Sequence, residues 1–269
     1  MIPPGLISKE ELTEKIRQVA QLGWVDSRRP GNDGSVGNTL EDLLGIPENN
    51  LPIPNAAEWE LKAQRTDTSS LITLMHMEPS PRAARIVPSL LLPNYGWPHK
   101  EAGRKYPQSE KSFRQTITAG KFTPTGFTIK VNRHDRRVET HFDASRVHKG
   151  REDWLAGVKE SVGLGPLNPM PYWGFDDLHH KAGVKLLNTF MVEANRRRID
   201  GREQFHYRTL HILQRFALDQ FMTAIETGKI LIDYDASTGH NHGTKFRVRQ
   251  DAIKGLYEEC TTIALSDSS

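Results

Sequence analysis

Residues 58–65 read EWELKAQR, and the organisation of the chain follows from this short stretch. Glu60 and Lys62 stand two positions apart among apolar neighbours, which predicts a strand on which both side chains project from one face. A carboxylate beside an ammonium on a rigid strand can hold a divalent cation and place a positive charge against a phosphate, as metal-dependent nucleases require. Alone, this E-x-K pattern is more typical of a solvated surface pair. The neighbouring segments decide between the two interpretations.

The composition predicts a soluble protein of a reducing, cytoplasmic compartment. Its 269 residues, 36% hydrophobic and 26% charged, suffice for one large domain or two lobes. No apolar run approaches the roughly 18 residues of a membrane span, and the N-terminal sequence lacks the apolar core of a secretory signal. Cys260 is the only cysteine, which excludes an internal disulfide and a cysteine zinc site. The net charge of +3 permits an anionic partner without requiring one.

Hydrophobic periodicity and turn residues predict alternating helices and strands. We predict helices over residues 8–22, 36–46, 154–162, 176–198, 217–227 and 251–265, strands over 59–64, 71–77, 127–132, 138–143, 230–234 and 246–249, and partial alternation over 205–216. Ser8 can cap the first helix, and Gly45 is a natural end for the second. The Pro-rich segment 79–105 is predicted to be irregular, and the break at 166–171 is a plausible lobe boundary.

Two clusters of potentially charged residues favour ordinary surface roles. His179 and His180 are adjacent on a predicted helix, so their side chains point about 100° apart and form a poor metal-binding pair. Solvated histidines are therefore the favoured interpretation. The basic turn at 133–137, RHDRR, is predicted to contact a nucleic-acid backbone or to be solvated.

The segment 233–249, DYDASTGHNHGTKFRVR, combines acids with potentially cationic groups. Arginine can donate two hydrogen bonds to guanine, and aspartate can accept one from cytosine N4, so the mixture suits the reading of G·C pairs. The alternative is a charged hairpin at a sheet edge. The candidate DNA-binding residues in this segment are Asp233, Asp235, His240, His242, Lys245, Arg247 and Arg249.

Three stretches together resemble the MvaI/BcnI family of type II restriction endonucleases, which is related to the mismatch-repair nicking enzyme MutH. These are GNTLEDLLGIPENN at 37–50, PNAAEWELKAQR at 54–65 and the segment 233–249. The resemblance implies a mixed α/β (α+β) fold, with a mixed sheet flanked by helices and two lobes forming a DNA clamp. It also implies a catalytic lobe at 1–95, with 170–230 packing on it, and recognition elements at 96–168 and 229–269.

The resemblance further implies a set of site residues by position. The catalytic residues would be Glu41, Asn55, Glu60, Lys62 and His76, and a Mg²⁺ ion would be bound at Asn55, Glu60 and Leu61. Asn55 departs from the family, which has a metal-binding aspartate at this position. An amide oxygen brings no charge to a site for a hard cation. This departure indicates either a weak nuclease or a substitution that inactivates the enzyme.

The implied partners are double-stranded DNA and the cognate DNA methyltransferase of a prokaryotic restriction-modification system. The implied enzyme is a monomer that cuts a short GC-rich pseudopalindrome one strand at a time. Three alternatives remain open at this point. They are a catalytically dead DNA-binding protein, a MutH-like nickase that depends on DNA methylation, and an unrelated zinc hydrolase using His179, His180, His240 and His242.

Overall fold

The structure, a computed structural model, describes residues 8–31, 34–46 and 59–265. The chain forms two compact units, each assembled from separate stretches of sequence. The first unit comprises Met1–Ser70, His180–Leu218 and Ile253–Ser269, and the second comprises Leu71–His179 and Asp219–Ala252. Asn55 lies outside the described residues.

The described elements alternate as a mixed α+β fold, which confirms the predicted class. The helices are α1 (Lys9–Gln21), α2 (Ser35–Leu44), α3 (Leu92–Tyr95), α4 (Glu152–Val162), α5 (Phe175–Leu186) and α6 (Leu218–Glu226). The strands are β1 (Val25–Asp26), β2 (Trp59–Arg65), β3 (Ile72–His76), β4 (Trp97–Pro98), β5 (Lys111–Ile117), β6 (Thr125–Asn132), β7 (Arg137–Val147), β8 (Tyr172–Gly174), β9 (Asn188–Ile199), β10 (Arg202–Phe216), β11 (Ile230–Ser237), β12 (His240–Asn241), β13 (Lys245–Val248) and β14 (Tyr257–Ala264).

The first unit is built on a five-stranded sheet in the order β1-β10-β9-β2, with β14 pairing to β10. Strands β2 and β9 are parallel, whereas the long hairpin of β9 and β10 and the pairing of β14 are antiparallel. Helices α1 and α2 bury their apolar faces against one side of this sheet. The core on that side includes Ile16, Leu40, Leu61, Phe190 and Leu210. Strand β2 is therefore fixed by apolar residues on one face, which leaves its other face for polar groups.

The ends of the two N-terminal helices follow the sequence signals. Ser8 accepts a hydrogen bond from the backbone of Glu11, which satisfies a donor at the start of α1. Gly45 adopts a left-handed conformation after α2, with φ of 67°, where a side chain would be strained.

The second unit contains two sheets around an aromatic core. One has the order β3-β13-β11-β5-β4, with β12 pairing to β11, and the other has the order β6-β7-β8. Phe113, Tyr234 and Phe246 project from neighbouring strands of the larger sheet and are fully buried. Their rings meet those of Phe127 and Trp173 edge to face or tilted. The opposite face of the larger sheet carries charged residues.

Two predicted helices are wrong over part or all of their length. The helix predicted over 176–198 ends at Leu186, and the chain continues as β9. The helix predicted over 251–265 is a short 3₁₀ helix, Gln250–Leu256, followed by β14. Both segments carry a helical apolar period, but β9 pairs with β2 and β10, and β14 pairs with β10. The gain from these tertiary contacts outweighs local propensity.

The unit boundaries differ from the predicted lobe boundaries. Residues 71–95 fall in the second unit and residues 253–269 in the first. The Pro-rich break at 166–171 lies inside the second unit and separates no units. Within the described residues, no helix is long and apolar enough to cross a membrane.

Candidate active site

Glu60 and Lys62 project from one face of β2, as the two-residue spacing predicts. Lys62 Nζ lies 3.0 Å from Glu60 Oε1 and donates a hydrogen bond to it. The side chains are only 4% and 11% exposed, so this is a largely buried ion pair and not a solvated surface pair. Leu61, between them, points into the apolar core on the opposite face of β2. The alternation of β2 thus separates the charged face from the apolar one.

A second lysine reaches the same carboxylate from the last turn of α5. Lys185 Nζ lies 3.6 Å from Glu60 Oε1, and its side chain is 19% exposed. Sequence reasoning missed Lys185. A lysine near the end of a helix is ordinary because it complements the helix dipole, so the sequence carries no signal that could have singled it out.

The second oxygen of the Glu60 carboxylate has no such partner. Glu60 Oε2 is buried and makes no hydrogen bond within the described residues. A buried carboxylate oxygen without a partner is costly unless a cation or donor satisfies it. Carboxylate oxygens are also the ligands that Mg²⁺ prefers. The donor set around Glu60 therefore fits a divalent cation, although no group of three or more His, Cys, Asp or Glu side chains is placed to hold one among the residues described.

Thr189 and Tyr257 lie beside this carboxylate. Thr189 is the β9 residue paired with Glu60, and its hydroxyl shares a hydrogen bond of 2.8 Å with Tyr257. Burial raises the pKa of Tyr257, as does the Glu60 charge, although the hydrogen bond with Thr189 lowers it; the net shift is upward. The Tyr257 hydroxyl is therefore neutral near pH 7 and contributes a dipole but no charge.

The remaining predicted catalytic residues are placed as follows. Glu41 is half-buried on α2, the helix that packs against β2. The Leu61 side chain is apolar, so only its backbone carbonyl could bind a cation. Asn55 is outside the described residues. His76 ends β3 in the second unit, where it pairs in register with Lys245.

The larger sheet of the second unit brings together most of the predicted base-reading residues. Lys245 Nζ lies 2.8 Å from Asp235 Oδ2, and Arg114 Nε lies 2.9 Å from Asp235 Oδ1. Burial alone would raise the pKa of Asp235. The hydrogen bond from Lys245, with the charges of Lys245, Arg114 and His242, outweighs burial and lowers that pKa. Arg114, on β5, was missed by sequence reasoning because its strand is distant along the chain.

Asp233 and Arg247 form a second cross-strand pair on this face. Arg247 Nη1 lies 3.3 Å from Asp233 Oδ2, and Arg247 Nη2 donates to the backbone carbonyl of Leu71. Arg247 Nε is buried without a partner in the described part of the chain. Thr116 donates its hydroxyl to Asp233 from the other side. The face therefore alternates acids and bases across three strands.

Arg249 lies beyond the end of β13, whereas His240 belongs to β12, which pairs with β11, and His242 donates its backbone N–H to the carbonyl of Asp235. Arg249 is exposed, because β13 ends at Val248, one residue before the end of the strand predicted over 246–249. His240 and His242 are exposed around the turn after β11, and their ring centroids are 4.1 Å apart. This turn presents polar groups to solvent.

The other charged clusters have ordinary surroundings. Arg133 of the basic turn makes two hydrogen bonds of 2.7 and 2.8 Å to Glu226 of α6. Arg136 pairs with Asp176 at 2.8 Å. His179 and His180 are exposed on α5, as predicted.

Comparisons with known proteins identify the family. The sequence model of the MvaI/BcnI restriction endonuclease family matches residues 13–257. No curated protein matches the chain. A structure of restriction endonuclease MvaI with its cognate DNA substrate is similar at a TM-score of 0.76 and 22% identity, covering 96% of this chain and 99% of that chain.

A second structure, of MvaI in the absence of DNA, is similar at a TM-score of 0.52 and 20% identity, covering 94% of this chain and 96% of that chain. At these identities the structural likeness establishes the fold, which is that of MvaI. The sequence model establishes more, because it spans nearly the whole chain. The chain belongs to the MvaI/BcnI restriction endonuclease family.

Proposed function

We propose that the protein is a type II site-specific deoxyribonuclease that depends on Mg²⁺ and hydrolyses phosphodiester bonds in duplex DNA. Its site would be a short GC-rich pseudopalindrome, cut one strand at a time by a monomer. The observation that carries the proposal is the buried Glu60 carboxylate, with one oxygen paired to Lys62 and the other without a partner among the described residues. Membership of a restriction endonuclease family supports it.

Glu60, with the Leu61 backbone carbonyl and the side chain at position 55, would hold the cation. When bound, Mg²⁺ lowers the pKa of coordinated water and offsets charge on the phosphate. Glu60 is suited to this role because its second oxygen makes no hydrogen bond within the part of the chain that the structure describes. Glu41, on the helix that packs against β2, would act from behind the site as a positioning residue.

Lys62 would supply positive charge beside the scissile phosphate. Its ammonium is held by Glu60 on a strand, so little reorganisation is needed when negative charge develops on the phosphate. Groups fixed in advance in a water-poor site stabilise a transition state more than mobile ones. Lys62 would therefore affect cleavage more than the affinity for DNA.

The charged sheet face of the second unit would read the bases. Arginine donates to guanine, and aspartate accepts from cytosine N4, which matches Arg247, Asp233 and Asp235, whereas Lys245 would contact a phosphate. In the free protein these groups satisfy one another. At the cognate site, base edges would replace these internal pairs, so each charged group would keep a partner. A wrong base could not replace the pair that it displaces, and a charged group would be left unpaired. This is a physical basis for specificity.

The solved structure of the similar MvaI complex contains its cognate DNA substrate, which supports duplex DNA as the partner here. A cytoplasmic enzyme of this kind needs a cognate methyltransferase to protect the DNA of its own cell. We assign catalysis to the first unit and base reading to the second. His76 belongs to the second unit, and its catalytic role stays a prediction.

A second function, DNA binding without cleavage, is favoured by Asn55 alone. The experiment compares plasmid cleavage by the protein as it stands, by Asn55→Asp and by Glu60→Gln, each with Mg²⁺. Asn55→Asp restores a charged hard ligand and is expected to raise the cleavage rate by about 100-fold or more. Discrete bands from Asn55→Asp support the endonuclease.

Equal rates for Asn55→Asp and the unsubstituted protein would show that position 55 is not a cation ligand. Sequence-specific binding with no cleavage by either protein would establish the second function. Cleavage that requires hemimethylated DNA would instead indicate a MutH-like nickase. Sequencing of the cut ends gives the recognition site and the cut positions.

A further inference from the structure

One carboxylate in the candidate active site faces two ammonium groups. Lys62 and Lys185 both approach Glu60 Oε1, at 3.0 and 3.6 Å, and neither approaches the partnerless Oε2 within hydrogen-bonding distance in the contacts that the structure gives. All three side chains are at least four-fifths buried. The three groups together carry one positive charge in excess. Water screens such a charge poorly because the groups are buried.

This charge arrangement opposes the binding of a cation. A divalent ion at Glu60 Oε2 would lie close to both ammonium groups, and each would repel it. Lys62 is accounted for by its place beside the phosphate, whereas Lys185 has no assigned role in the reaction. Lys185 comes from α5, a different element, and its one ion pair within the described residues is with the Glu60 carboxylate.

We propose that Lys185 is a resident counter-ion for Glu60 that competes with the catalytic cation. Without a cation, Lys185 helps to neutralise the buried carboxylate and holds its Oε1. When a cation binds, Lys185 loses part of this favourable interaction and gains a repulsive one. Lys185 therefore raises the cation concentration at which the site fills. It is a positioning residue that acts through Glu60, and this inference rests on the cation site of the proposed function.

The test measures cation binding in the absence of DNA. The melting temperature of the full chain is recorded against MgCl₂ concentration, since an ion that binds only the folded state raises it by mass action. Lys185→Met and Lys185→Gln remove the charge, and Lys185→Arg retains it. Lys181→Met removes a charge one turn earlier on the same helix, from a lysine that has no ion pair with Glu60 among the described residues. Glu60→Gln reports the part of the effect that belongs to this site.

We expect the half-saturating Mg²⁺ concentration to fall by about tenfold in Lys185→Met and Lys185→Gln, the effect of removing one partly screened like charge. Lys185→Arg and Lys181→Met should match the unsubstituted protein. Glu60→Gln should remove the Mg²⁺-dependent shift. In cleavage assays, charge removal at Lys185 should lower the Mg²⁺ requirement without raising the rate at saturating Mg²⁺.

An unchanged or higher half-saturating concentration in both uncharged variants overturns the inference, and a higher one would show that Lys185 instead aligns Glu60 for the cation. If one uncharged variant does not fold, the other decides. The failure of the proposed function looks different. In that case the melting temperature of Glu60→Gln responds to MgCl₂ as that of the unsubstituted protein does, and the Lys185 variants show no response that depends on Glu60.

Discussion

Removal of the Glu60 carboxylate tests the charge balance of the candidate active site. In Glu60→Gln, Lys62 and Lys185 lose the anion between them. Both ammonium nitrogens lie within 3.6 Å of Glu60 Oε1, so they stand no more than about 7 Å apart. At an effective dielectric constant of about 20 their repulsion is then at least roughly 2 kcal/mol. We expect the free energy of unfolding to fall by about 2 kcal/mol, because the flexible lysines relieve part of the repulsion.

The assay is thermal or urea unfolding in buffer with EDTA, so that no divalent cation compensates the change. For a chain of this size a loss of about 2 kcal/mol corresponds to a fall of roughly 4–8 °C in melting temperature. The matched control is the double variant Glu60→Gln, Lys185→Met, which removes the second ammonium as well. It should recover most of the lost stability. Together with the single variants Glu60→Gln and Lys185→Met, it completes a double-mutant cycle that measures the interaction energy between Glu60 and Lys185.

Two outcomes would refute this reasoning. Active-site carboxylates are often destabilising, and their removal then stabilises the folded state. If Glu60→Gln is as stable as the unsubstituted protein or more stable, the lysines do not depend on Glu60 as their counter-ion. A double variant no more stable than Glu60→Gln would lead to the same conclusion for Lys185.

Three further predictions concern catalysis, base reading and pH. Lys62→Ala should abolish cleavage while the affinity for cognate DNA, measured by titration in Ca²⁺, changes little, since its charge acts mainly in the transition state; a parallel loss of affinity would contradict this. Arg247→Ala should cost about 1–3 kcal/mol of cognate binding and relax discrimination at one base pair. Lys245→Ala should weaken the binding of all DNA sequences alike and reduce its salt dependence by about one phosphate contact. Binding to single-base variants of the site at two salt concentrations separates the two, and uniform losses for both would contradict base reading by Arg247. The pKa of Asp235 is lowered in the folded state, so its contribution to stability is complete above the unfolded aspartate pKa and is lost as pH falls through the folded pKa. The difference in stability to urea between the unsubstituted protein and Asp235→Asn should be present at pH 7 and vanish in acid, and a difference independent of pH would contradict this prediction.

Local signals in the sequence were sufficient for many elements. The cap at Ser8, the end at Gly45 and the alternation of β2 each depend on residues within a few positions, and the structure confirms all three. The helix predicted over 176–198 failed because its second half is paired with strands that are remote in sequence. The largely apolar run at 190–194 is too short for its period to distinguish a strand from a helix, so the pairing decides.

In the candidate site too, only the contacts between residues close in sequence were predictable. The Glu60–Lys62 pair follows from spacing within one strand, and the structure confirms it. Lys185 and Arg114 come from other elements, and their places beside Glu60 and Asp235 depend on the tertiary fold. Nothing in their own sequence surroundings distinguishes them from the other basic residues of the chain. The roles assigned to the site residues remain predictions.

Both charged faces result from the same property of β-strands. On β2, Glu60 faces the charged side while Leu61 is fixed in the apolar core. On β11, Asp233 and Asp235 face the charged side while Tyr234, between them, is fully buried. A shift of one residue in strand register would bury the acids and expose the core residues, at a cost that the fold could not sustain. The apolar residues that stabilise each unit therefore also determine which side chains can meet a cation or a base.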